Sequence, residues 1–74
     1  MFVVLSKPSC PYCDRATDLL KEKGVDYEKV DITLDLWAKT LMLEAGLSTV
    51  PQVFDHLGEW IGGYRDLEIY FNTR

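Results

Sequence analysis

Short apolar runs of strand length alternate along this chain with longer stretches whose apolar residues recur at helical spacing. Residues 1–6, Met1-Phe2-Val3-Val4-Leu5-Ser6, are an apolar and β-branched run that predicts a buried strand. Lys7-Pro8-Ser9 predicts a loop, because prolines at 8 and 11 forbid regular pairing there. A helix is predicted from Pro11 to about Lys23, with Pro11 at a first position that needs no intrahelical N–H. Ala16, Leu19 and Leu20 form its inward face, and Gly24 marks its stop.

Residues 25–32 predict a second strand with imperfect alternation, Val25 and Tyr27 on one face and Val30 and Ile32 on the other. Thr33 is the expected N-cap of a second helix over about 34–45, closed by Gly46. Leu34, Trp37, Ala38, Leu41, Met42 and Ala45 recur there at helical spacing, so the Trp37 and Met42 stripe is expected in the core. Pro51–Asp55 and Glu59–Ile61 predict a hairpin turned by His56-Leu57-Gly58, with His56 a solvated turn residue. Gly62-Gly63 ends the second of these strands. A last helix over about 66–72 turns Leu67, Tyr70 and Phe71 inward. The order is β-α-β-α-β-β-α. A right-handed first crossover makes strands one and two parallel, and the hairpin adds an antiparallel pair. The expected fold is α/β: one four-stranded mixed sheet with helices on both faces.

Length narrows this to a single domain over residues 1–74. A chain of this size buries only about 60% of the surface exposed when unfolded, so modest stability is expected. The formal net charge of -4 argues against nucleic acid as a partner, since phosphate contacts need a basic face. Phe2–Leu5 is too short for a signal-peptide core, and no run approaches the roughly 18 apolar residues of a membrane span. A cytoplasmic monomer without membrane attachment is the expectation. In a reducing compartment, two closely spaced cysteines point to redox or metal chemistry rather than a structural bridge.

Those cysteines are in Cys10-Pro11-Tyr12-Cys13. Three apart on a first helical turn, they are within range of disulfide geometry. Cys10 is at the expected N-cap, where unpaired backbone N–H groups and the positive end of the helix dipole favour an anion. A thiol so placed is more acidic than that of free cysteine, and Lys7 adds to the effect. Asp14 and Asp18 oppose it but are expected to lie deeper along the helix and point to water. Cys10, in the loop, is therefore the expected nucleophile, and Cys13, within the helix, the resolving thiol. Metal binding is not expected, because two thiols and a distant His56 cannot fill four zinc positions without a partner chain.

Cys10-Pro11-Tyr12-Cys13, then Thr49-Val50-Pro51, then Gly62-Gly63 with Asp66 resemble the three signatures of dithiol glutaredoxins, in order and on the appropriate elements. The resemblance implies a thioredoxin-like fold, no tightly bound cofactor, glutathione as co-substrate, and a cis peptide bond before Pro51. It further implies that the Val50 backbone pairs with the cysteinyl part of glutathione, flanked by Tyr12 and Thr49, with Pro51 also among the residues that contact it. Backbone N–H groups of Gly63, Tyr64 and Arg65 would meet the γ-glutamyl carboxylate at a helix start. Asp66 would take the ammonium, and Lys7 and Lys39 are candidates for the glycyl carboxylate. The sequence departs from the family pattern in two places. Its final helix has about two turns, fewer than usual, and Tyr64-Arg65 stands where smaller or acidic residues are common.

The function so implied is glutathione-dependent reduction of glutathione mixed disulfides and protein disulfides. Partners would be glutathione and glutathionylated or disulfide-bearing proteins, with ribonucleotide reductase a family-level candidate. Two alternatives remain at this level: a redoxin recycled by thioredoxin reductase, and a non-enzymatic carrier of an iron–sulfur cluster ligated through Cys10 and glutathione. Pro11 weighs against the carrier, whose relatives usually have a small residue there.

Overall fold

The structure, a computed structural model, describes residues 1–73. Its elements run β1 (Phe2–Ser6), α1 (Pro11–Glu22), β2 (Tyr27–Asp31), α2 (Leu36–Glu44), β3 (Gln52–Phe54), β4 (Trp60–Gly62) and α3 (Tyr64–Asn72). The four strands form one sheet in the order β2-β1-β3-β4. β1 pairs in parallel with β2, Val4 opposite Lys29, and antiparallel with β3, Val4 opposite Val53. The β3–β4 hairpin slips register between Val53 and Phe54.

β1 is apolar at successive positions because helices cover both faces of the sheet. Phe2 and Val4 pack with Ala16 and Leu20 of α1, Val53, and Leu67 of α3. On the other face Leu5 packs with Val30 and with Ala38 and Met42 of α2. The mixed alternation of residues 25–32 follows from the same arrangement: Val25 and Tyr27 join the first cluster, Val30 and Ile32 the second. Fully burying a side chain such as Leu20 or Leu67 contributes roughly 1.5–3 kcal/mol. Among the described residues, no helix is long and apolar enough to cross a membrane.

Several sequence expectations are corrected. Leu19 is only partly buried at the edge of its cluster. Thr33 does not cap α2. Its N–H and hydroxyl both donate to Asp31 Oδ1, at 2.8 and 2.6 Å, forming a turn that delays the helix until Asp35. The Trp37 and Met42 stripe divides: Met42 is buried, but Trp37 is 54% exposed. Only Ala38 and Met42 of α2 are buried, so one narrow stripe meets the sheet, while Leu34, Leu36 and Leu43 face solvent. α3 begins two residues earlier than expected, because Gly63 serves as its N-cap in an extended conformation.

Candidate active site

The turn out of β1 presents the cysteines. Ser9 adopts a left-handed conformation, φ 58°, which swings the chain sharply from the strand into α1. Cys10 is the N-cap of α1: its Sγ accepts the Cys13 N–H at 3.2 Å, and its carbonyl accepts the Asp14 N–H at 3.2 Å. Cys10 and Cys13 are joined in a disulfide, their Cα atoms 5.2 Å apart. Cys13 is fully buried, whereas Cys10 is partly exposed. A reagent from solution can thus reach one sulfur and not the other.

Across from the disulfide, the Val50–Pro51 peptide bond is cis, as the family resemblance implied. The Val50 carbonyl oxygen lies 3.8 Å from Cys10 Sγ. A relay of hydrogen bonds steadies this loop from behind. Trp60 Nε1 donates to Gln52 Oε1 at 2.8 Å, and Gln52 Nε2 donates to Thr49 O at 3.0 Å and Thr49 Oγ1 at 3.2 Å. Sequence reasoning missed Gln52 and Trp60 as supports. The available signal was a polar Gln52 in a buried strand, which needs partners when dehydrated.

Tyr12, Thr49, Val50, Pro51, Gly63, Tyr64, Arg65 and Asp66 line one groove of about 280 Å³. Three separated stretches of sequence meet there, and eight of the ten residues expected to contact glutathione are among them. The other two lie elsewhere: Lys7 lines a separate cleft that includes Cys10, and Lys39 is an exposed residue of α2 outside the groove. At the groove's far end the Gly63 N–H donates to Asp66 Oδ2 at 3.1 Å. The first turn of α3 there offers backbone N–H groups to an anion, next to a carboxylate suited to a cation.

The Tyr12 ring carries the Arg15 guanidinium 5.0 Å from its centroid and has Tyr64 as an aromatic neighbour at 6.0 Å. Partial shielding from water and then the Glu68 carboxylate, which accepts the Tyr64 hydroxyl at 3.2 Å, raise the Tyr64 phenol above its ordinary value of 10.0. Tyr64 is therefore neutral in the groove near pH 7. Asp14 has a partner that the sequence did not reveal. It is exposed to solvent as expected, and in addition its Oδ1 accepts Lys29 Nζ at 2.8 Å and the residue lines the cleft with Cys10. Among the described residues, no group of three or more His, Cys, Asp or Glu side chains could hold a metal ion.

Comparison with known proteins gives the arrangement a lineage. The family model described as glutaredoxin matches residues 2–57. Glutaredoxin 3 of Escherichia coli strain K12 is 38% identical over 65 residues, which cover 86% of this chain and 77% of that protein. Hybrid peroxiredoxin hyPrx5 of Haemophilus influenzae is 41% identical over 68 residues, and the match covers 92% of this chain but 28% of that longer protein. Among solved structures, a buckwheat glutaredoxin–glutathione complex superposes with a TM-score of 0.81 at 29% identity, covering 97% of this chain and 68% of that one.

Proposed function

This chain belongs to the glutaredoxin family and is a thiol-disulfide oxidoreductase, and we propose that glutathione is its reductant. One observation carries the reading: Tyr12, Val50 and Asp66, far apart in sequence, line a single groove whose Val50 carbonyl rests 3.8 Å from Cys10 Sγ. Glutathione is an extended peptide with two carboxylates and one ammonium. The Val50 main chain offers it strand-like pairing, the start of α3 offers N–H groups to the γ-glutamyl carboxylate, and Asp66 offers the ammonium a counter-charge.

In the proposed reaction the Cys10 thiolate attacks the glutathionyl sulfur of a mixed disulfide. A Cys10–glutathione disulfide forms, the original S–S bond breaks, and the substrate leaves as a thiolate that takes a proton from water. A second glutathione thiolate then attacks the glutathionyl sulfur, giving glutathione disulfide and restoring Cys10. With a protein disulfide, Cys10 becomes tethered to the substrate. Cys13, held beside it, attacks Cys10 Sγ and releases the reduced substrate at a high effective concentration. The resulting Cys10–Cys13 disulfide is reopened by two glutathione molecules.

The test is to divide the two activities. Cys10→Ser abolishes both. Cys13→Ser keeps most turnover of a small glutathione mixed disulfide and loses turnover of a protein disulfide, trapping the tethered substrate on a non-reducing gel. Activity that survives in Cys10→Ser contradicts the assignment of the nucleophile. Loss of both activities in Cys13→Ser contradicts the resolving role.

A further inference from the structure

Asp14 follows Cys10 by four residues, about one helical turn along α1, whose N-cap is Cys10. Both residues line a cleft of about 250 Å³ that shares no residue with the groove described above. A carboxylate near a thiolate raises the free energy of the charged form and favours the neutral thiol. Alone, Asp14 would work against the stabilisation that the start of α1 gives Cys10. It is not alone, because Lys29 reaches over from β2 and donates to Asp14 Oδ1 at 2.8 Å.

The charged groups facing this cleft come from three elements. They are Lys7 in the turn after β1, Asp14 on α1, and Lys29 and Asp31 on β2. Asp31 is engaged elsewhere, since its Oδ1 accepts both the N–H and the hydroxyl of Thr33. Lys29 is thus the cation in direct contact with the Asp14 carboxylate. The pair is solvent-accessible, with side chains 41% and 68% exposed, so its worth as a fold-stabilising clip is small. Its position relative to the nucleophile is the more consequential property.

We propose that Lys29 is a positioning residue for thiol–disulfide exchange: by pairing with Asp14 it cancels a carboxylate that shares the cleft with Cys10 and keeps the thiolate favoured. The proposal rests on Cys10 being the attacking thiol and extends that reading to a residue on a different element. Near a wet surface, one uncompensated charge about a helical turn away changes the thiolate fraction about two- to fivefold.

The experiment is the pH profile of iodoacetamide labelling of the reduced protein, with the labelled cysteine identified by peptide mass. It is run on the wild type, Lys29→Gln, Asp14→Asn and the double variant. Well below the midpoint, Lys29→Gln slows Cys10 labelling about two- to fivefold, and Asp14→Asn speeds it by a similar factor. The double variant returns close to the wild-type profile. These differences shrink in 1 M salt, where the screening length is about 3 Å. A merely structural clip would lower the thermal midpoints of both single variants without moving their profiles in opposite directions, and that result overturns the proposal. Superimposed profiles with label on Cys10 overturn the role of Lys29 alone. Label mapping chiefly to Cys13 overturns both this inference and the reading beneath it.

Discussion

Asp66 accepts the Gly63 N–H through Oδ2 at 3.1 Å, so one carboxylate oxygen closes the first turn of α3 while the residue lines the groove beside Tyr64 and Arg65. Its two roles can be separated chemically. Asparagine keeps an oxygen able to accept the Gly63 N–H but removes the negative charge that would face an ammonium. Asp66→Asn is therefore expected to leave the thermal midpoint nearly unchanged and to weaken use of glutathione about tenfold, the scale of one charge-assisted hydrogen bond at a wet rim. Reduction by dithiothreitol, which has no ammonium, should be spared. Steady-state kinetics with the two reductants check this, and equal losses with both would assign Asp66 to the helix start alone.

Gly62 has φ 124°, a conformation that L side chains rarely adopt. A Cβ there would also meet Asp66 Oδ2 and lie 2.8 Å from Asp66 Cγ and 2.9 Å from its Cβ. Gly62→Ala should thus strain the backbone and push aside the carboxylate that caps α3. A cost of about 1–3 kcal/mol is expected, with Tm falling by about 4–8 °C for each kcal/mol in a domain of this size. Thermal unfolding of the variant checks it, and an unchanged midpoint would contradict the close packing of Gly62 on Asp66.

Tyr64 gives a pH dependence whose sign follows from its raised phenol. Between 10.0 and the higher folded value, the folded protein holds this proton more tightly than the unfolded chain does. The contribution of Tyr64 to stability is present below pH 10.0 and is lost as pH rises through the folded value. The difference in Tm between the wild type and Tyr64→Phe should be flat at neutral pH, and the wild type should lose ground above about pH 10. Thermal scans of both proteins across the alkaline range measure it. A constant difference would contradict a raised phenol at Tyr64.

Much of this architecture is legible in the chain because local chemistry and global fold agree. An apolar β1 requires cover on both faces, and the sheet has it from α1 and α3 on one side and α2 on the other. Cys10-Pro11 states a helix start in two residues, one able to accept a backbone N–H and one with none to satisfy. The paired glycines mark the entry to α3, although a strand break alone does not reveal that Gly63 becomes the cap. Periodicity fails at Trp37 because it counts apolar positions without knowing how much of a helix its sheet can cover. Ala38 and Met42 fill the available contact, and Leu36 and Trp37 are left outside. Thr33 fails for a competing local bond, since the Asp31 carboxylate captures it two residues away. Lys29 with Asp14, and Trp60 with Gln52 and Thr49, join separate elements that no local pattern brings together.

The central claim is that electrons reach Cys10 from glutathione through the Tyr12–Val50–Asp66 groove. Its most direct measurement is NADPH-coupled reduction of a small glutathione mixed disulfide, supplied in parallel with glutathione plus glutathione reductase and with thioredoxin reductase alone. Turnover in the first arm, abolished by Cys10→Ser, with background rates in the second, is the predicted result. Turnover that requires thioredoxin reductase and ignores glutathione would contradict the account.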